Sequence, residues 1–225
     1  MNDHDILFQK FGTIQKSVIQ NSPFEKSNGT VEVSENKEKM FLTMTLPRAA
    51  WCVKNLDNKF QSLKKSLQKH KCADTAIWSI TDSGQWVLHI IELKKTVTRS
   101  NKNTSWEHIK RQFVGAYRTC KMVAAALDIE FEQVIFYTGF ISDGDLFLTV
   151  ASTDTDSTEN PSVLLPHRGT ADDVPPPRIE WKSGKCRLED YGWSDSYTDK
   201  AYTHIRVQLT ESEDGTYTLT TPLFS

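Results

Sequence analysis

Cysteine motifs, charge imbalance and long apolar runs are all scarce in this chain, and each scarcity removes a class of protein. The four cysteines, Cys52, Cys72, Cys120 and Cys186, form no CxxC pair and have no histidine at a zinc-ligand spacing. A structural zinc is therefore not expected, and free thiols of a reducing cytoplasm are. No stretch approaches the ~18 apolar residues of a membrane helix, and Met1 to Lys16 mixes acids with its apolar residues where a leader would be basic and then apolar. The expectation is a soluble, unsecreted, cytoplasmic protein with no membrane partner. With 10 Gly and 8 Pro in 225 residues, 38% hydrophobic and 25% charged, collagen-like, disordered and coiled-coil chains are excluded. There is no internal repeat, and nothing reads as a helix-turn-helix or zinc-finger reader of DNA.

The net charge of −2 hides a division along the chain. Residues 1–47 hold 5 Lys/Arg and 6 Asp/Glu, residues 48–121 hold 15 and 5, and residues 122–225 hold 7 and 18, giving −1, +10 and −11. A +10 block inside a near-neutral protein has the composition of a surface that follows phosphates, because each phosphate neutralised releases counterions. The competing reading is a solvated pair of helices whose lysines only maintain solubility.

Helical and strand-like patterns interleave. Residues 5–20 and 49–69 place apolar side chains at helical spacing, and the second set (Trp51, Val53, Leu56, Phe60, Leu63, Leu67) alternates with Lys54, Lys59, Lys64, Lys65 and Lys69, predicting a basic amphipathic helix. Thr30 to Val33 reads as a weak strand and Lys39 to Leu46 as a firmer one. Residues 74–80 and 86–93 are β-prone runs joined by Thr81-Asp82-Ser83-Gly84-Gln85, a hairpin signal. A long helix over 106–127 enters through Thr104 or Ser105 as N-cap. Strands follow at 133–141 and 146–152, then a Ser/Thr/Asp/Pro-rich linker or loop over 153–178 ending in Val174-Pro175-Pro176-Pro177, then β-like pieces at 179–181, 204–210 and 216–220. The class is α/β or α+β, with a mixed sheet and flanking helices. The domain reading is 1–152 for the main unit and 179–225 for a β-rich C-terminal extension that either finishes the sheet's flank or forms a small subdomain.

The residues that carry chemistry lie on the hairpin. Centring its turn between Ser83 and Gly84 sets Asp74 across from Leu93, beside Glu92. Glu92 and Lys94, at i and i+2, share one strand face while Ile91 and Leu93 take the other. Acids and a lysine at the end of the greasy run Val87-Leu88-His89-Ile90-Ile91 must be paired or bind an ion. Mg2+ or Mn2+ suits the pair: such ions are held by one or two carboxylates, with waters and substrate phosphate oxygens completing the shell. Asp74 and Glu92 are the expected metal ligands and Lys94 the residue that orients or polarises the attacking water. The competing reading is an ordinary strand-end ion cluster, Glu92 with Lys94 or Lys71. His89, on the opposite strand face, reads as a satisfied core histidine.

Asp74, then Glu92-Leu93-Lys94, on a hairpin followed by a basic helix and a further strand, resembles the PD-(D/E)XK nuclease superfamily over roughly residues 40–140. Ala73 stands where that motif carries proline, and either 5–20 or 49–69 can serve as the first helix. The resemblance implies a restriction-endonuclease-like αβββαβ core, catalytic Asp74, Glu92 and Lys94, and Mg2+-dependent hydrolysis of phosphodiesters, of DNA above all. Gln112 is similar to a glutamine of some exonuclease-like branches; Tyr117 is one residue out of their spacing and is not carried over. The expected nucleic-acid contacts are Lys54, Lys64, Lys65, Lys110, Arg111 and Arg118. A homodimer or larger complex follows if one site per chain is to cut both strands. Two alternatives compete: a nuclease-fold subunit that binds nucleic acid or protein without cutting, and an interaction module working through its acidic tail.

Overall fold

The structure is a computed structural model that describes residues 24–48, 50–59, 71–99, 101–146, 177–188 and 201–222. Within them run β1 (Glu25–Ser27), β2 (Thr30–Glu35), β3 (Met40–Thr45), β4 (Ala50–Lys54), α1 (Leu56–Lys59), β5 (Thr75–Ile80), β6 (Trp86–Thr96), α2 (Trp106–Ala126), β7 (Phe131–Ser142), α3 (Pro177–Ser183), β8 (Lys185–Arg187), β9 (Ala201–Gln208), β10 (Thr210–Glu211) and β11 (Tyr217–Pro222). They form a mixed α/β fold dominated by two sheets. The larger has the order β1-β4-β5-β6-β7-β9-β8, the smaller β10-β11-β3-β2. β4, β5 and β6 are antiparallel neighbours, whereas β6, β7 and β9 run parallel. Among the described residues no helix is long and apolar enough to cross a membrane.

Because the large sheet is covered on both faces, its central strands read as continuous apolar runs. Leu88, Ile90, Trp78, Ala76 and Phe136 join Trp106, Ile109 and Phe113 of α2 in one core. Ile77, Val87, Ile91, Leu93, Ile135 and Tyr137 join Val31, Val33, Met40, Leu42 and Met44 of the small sheet in the other. Even-numbered positions of β6 therefore face the helix and odd-numbered ones the second sheet. Trp78 lies edge-to-face against Phe24 and Phe131, ring centroids 4.9 Å apart in each case.

Several expectations are corrected. Ala50–Lys54 is a strand and not the start of a helix: Trp51 and Val53 fit a period of 2 as well as 3.6, and pairing with β5, Trp51 opposite Trp78, decides between them. Asn55 at φ 54° turns the chain, and helix begins only at Leu56. The remainder of that expected helix, with Lys64 and Lys65, lies outside the described residues, as do 5–20 and the expected strand beyond Leu146. Leu146 itself closes a 3-10 turn, Gly144–Leu146. Residues 179–181 belong to α3 and not to a strand. The chain after 179 completes the sheets: β9 pairs with β7 in the large one and β11 with β3 in the small one.

The β5–β6 hairpin forms as expected, with its register one residue different. The Thr81 N–H donates to the Gln85 carbonyl at 2.9 Å and the Gly84 N–H to Thr81 at 3.0 Å, with Gly84 at φ 81°, so the turn centres on Ser83. Thr75 then pairs with Ile91 and Trp78 with Leu88, which brings Asp74 level with Glu92 itself. The helix α2 begins at the expected cap: Ser105 accepts from the His108 N–H at 3.2 Å.

Candidate functional site

Asp74 immediately precedes β5, and Glu92 stands near the carboxyl end of β6 on the helix-facing side. Two hydrogen bonds knit them: the Asp74 N–H donates to Glu92 Oε2 at 3.1 Å, and the Leu93 N–H donates to Asp74 Oδ2 at 2.8 Å. Lys94, two residues on and 18% exposed, makes an ion pair with Glu92 Oε1. Glu92 itself is wholly buried. Burial first, then the charge of Asp74, push its carboxyl from 4.5 up to about 8 against the opposing pull of Lys94. A carboxylate so placed gains from any cation that binds beside it.

Helix α2 closes the site from above. The Gln112 carbonyl accepts the Ala73 N–H at 3.2 Å, which seats one helical turn on the residue preceding Asp74. Gln112 is buried, and its side-chain Oε1 has no hydrogen-bond partner among the described residues. One turn earlier, half-buried His108 is held below its ordinary pKa by burial and then by Lys94, Lys71 and Arg111. Those three cations thus form a basic rim beside the two carboxylates, with His108 among them as a neutral imidazole. The sequence offers Lys71 only as an alternative partner for Glu92 and His108 only as one of the basic residues of the helix that could contact phosphate; its i, i+4 spacing to Gln112 marks a common helix face.

The other expected contacts separate. Arg111 is exposed and Arg118 half-buried on α2. Lys54 ends β4 opposite Thr75, on the sheet face opposite to Asp74. Lys110 is a correction: it is fully buried, with Nζ 3.1 Å from Glu180 Oε2 and 2.9 Å from Glu107 Oε1, so it holds α3 against α2 and is not on a nucleic-acid surface. The Trp106 indole N–H donates to the same Glu180 oxygen at 3.0 Å and the Arg187 N–H to the other at 2.6 Å. His89 is the core histidine expected, bonded to Ser79 Oγ at 2.8 Å and to the Tyr137 hydroxyl at 3.1 Å. Of the tryptophans, Trp51, Trp78, Trp106 and Trp181 are buried. Tyr191, Trp193 and Tyr197, watched as a contact surface, lie outside the described residues.

The donor set tests whether a hard divalent cation fits. Among the described residues no three His, Cys, Asp or Glu side chains cluster as metal ligands. Two adjacent carboxylates with the orphaned amide oxygen of Gln112 on the helix turn above them are oxygen donors of the kind Mg2+ and Mn2+ accept, with waters and phosphate oxygens in the remaining positions. The residues fit an ion that shares its shell with substrate. Compared with protein-family models, curated proteins and solved structures, the chain gives no match to any of them.

Proposed function

We propose that this protein is a Mg2+- or Mn2+-dependent nuclease of the PD-(D/E)XK kind, acting on nucleic acid, DNA first. The observation that carries the reading is the Asp74–Glu92–Lys94 cluster: two carboxylates, each accepting a backbone N–H, and a lysine at a strand end, beside a basic rim. The order strand, strand, strand, helix, strand from β4 to β7 supports a restriction-endonuclease-like core, with α1 intervening between the first two strands. When bound, a divalent cation supplies electrophilic stabilisation at a phosphate and makes water a stronger nucleophile at neutral pH.

The chain's own residues divide the remaining work. Asp74 and Glu92 would hold the ion and fix its place relative to the strand ends. Lys94, whose ammonium already lies against Glu92, would shift its hydrogen bonds toward charge that develops on phosphate oxygens, an interaction strongest in the transition state. The rim cations Lys71 and Arg111 would draw in the polyanion. One site per chain implies a homodimer or a larger complex if both strands of a duplex are cut.

A second reading has its own observation in favour. Glu92 is wholly buried with both oxygens engaged, as in a nuclease-fold subunit that binds without cutting. Incubating the full chain with plasmid, linear and single-stranded DNA and RNA, each with Mg2+, Mn2+ or EDTA, separates the two. Metal-dependent cleavage lost in Glu92→Gln supports the nuclease. Binding without cleavage under every metal supports the idle subunit.

A further inference from the structure

β6, β7 and β9 are parallel and present their carboxyl ends along one edge, where ligands of open α/β sheets collect. Following the pairing across that edge, Glu92 stands opposite Thr138, and Thr138 opposite Arg206. All three lie on the helix-facing side: Glu92 alternates with Ile91 and Leu93, which face the second sheet. Thr138 Oγ1 lies 3.0 Å from Nε2 of His204, whose ring packs against Trp106, and Arg206 lies over Trp181. Two inter-strand steps of about 4.8 Å put Arg206 roughly 10 Å from Glu92 along the row. The +10 segment expected to meet nucleic acid stops at residue 121, so Arg206 comes from the acidic third of the chain that no charge argument selected.

Its surroundings leave the guanidinium usable. The Arg206 side chain is 35% exposed, with Cζ 5.8 Å from the centroid of the Trp181 ring. Among the described residues its anionic neighbour is Asp143, whose Oδ2 is 4.0 Å away and is committed to the Trp181 indole N–H at 2.8 Å. Asp143 follows the last residue of β7, so the contact draws the guanidinium toward the strand-end edge that carries Lys94. Trp181 and Asp143 thus fix the orientation of a planar, five-donor fork without exhausting it, the geometry that takes a phosphate in bidentate fashion.

Resting on the nuclease reading, we infer that Arg206 is a second phosphate contact of the same site, gripping the substrate backbone away from the bond that is cut. An offset of roughly 10 Å exceeds the through-space separation of adjacent phosphates on one strand, so the grip falls on a neighbouring phosphate and not on the one that is cut. The contact determines which length of substrate is held productively, and the strand runs from the Asp74–Glu92 pair across the ends of β7 and β9. The central row itself, Thr138 and His204, is buried and acts as support.

The test uses the full chain with Arg206→Met, which keeps an apolar stem over Trp181, and Arg206→Lys, which keeps the charge. Binding of a fluorescent 20-base-pair duplex is followed in EDTA across salt concentrations. Arg206→Met should reduce the slope of log K against log salt by ~0.9, one phosphate contact, while Arg206→Lys retains the wild-type slope. In the cleavage assay, Arg206→Met should lose about tenfold in kcat/KM on that duplex and nothing on a dinucleotide, which is too short to reach Arg206. Wild type that binds and cuts, with an unchanged slope in Arg206→Met, overturns the inference alone. Wild type that neither binds nor cuts any nucleic acid overturns both this and the nuclease reading.

Discussion

Replacing Glu92 by glutamine should stabilise the metal-free protein at alkaline pH. The folded state holds the Glu92 proton to about pH 8, because burial and Asp74 oppose ionisation, whereas an ordinary glutamate gives it up at 4.5. Between those values the unfolded chain binds fewer protons than the folded one, so this residue lowers stability as pH rises. Integrating over the interval gives a loss of about 2 kcal/mol at pH 6 and about 4 kcal/mol at pH 8. Glu92→Gln removes the ionisation and keeps the shape, so urea midpoints in EDTA should favour the variant over wild type by a margin that grows from pH 6 to pH 8. Mn2+ at a hundred times its Kd should return about 3 kcal/mol to wild type and almost nothing to the variant. A variant less stable than wild type at pH 8 without metal would refute the reasoning. The Glu92–Lys94 pair would then be a net stabilising contact of the strand end, and the carboxylates would have no need of a cation.

Three further outcomes follow from the geometry. Lys94→Ala should lower the cleavage rate by about 10²–10³ with little change in duplex binding, as expected of a group that acts on developing charge; parallel loss of binding and folding would make it a structural partner. Lys110→Ala should cost about 3–5 kcal/mol in denaturant unfolding, since it leaves Glu180 with a buried charge missing its cation, and should leave the salt dependence of binding untouched; a reduced salt slope in a stable Lys110→Ala protein would return that lysine to the interface. Truncation after residue 200 should yield an insoluble product, because it removes β9 from beside β7 and β11 from beside β3; a soluble, folded truncation would contradict the sheet order.

The hairpin, the long helix and its cap were legible because their signals are local. Thr81 to Gln85 carries its own turn chemistry, Ser105 its own capping oxygen, and the even and odd positions of β6 declare their faces within one strand. Asp74, Glu92 and Lys94 came together for the same reason, with a one-residue register difference that a five-residue turn centred on Ser83 explains. What failed to show depends on partners far along the chain. Trp51 and Val53 fit helix and strand alike until Trp78 is opposite. Lys110 reads as one more exposed helical lysine, since Glu180, its buried partner, lies 70 residues away. The helix at Pro177 had a usable signal, proline at a first helical position, hidden at the end of a proline run. Arg206 sits in a net-acidic segment, and only the parallel pairing of β7 and β9 brings it level with Glu92.

The central claim is that Asp74 and Glu92 jointly hold a divalent cation. Calorimetric titration of Mn2+ into the wild-type protein and into Glu92→Ala, at pH 8, where about half of the Glu92 carboxyls are ionised, measures it directly. The account predicts saturable binding in wild type, with protons released as Glu92 gives up the remainder, and a loss of at least about tenfold in affinity in Glu92→Ala, as for removal of a principal ligand. Equal binding by the two proteins, or none by either, would contradict it.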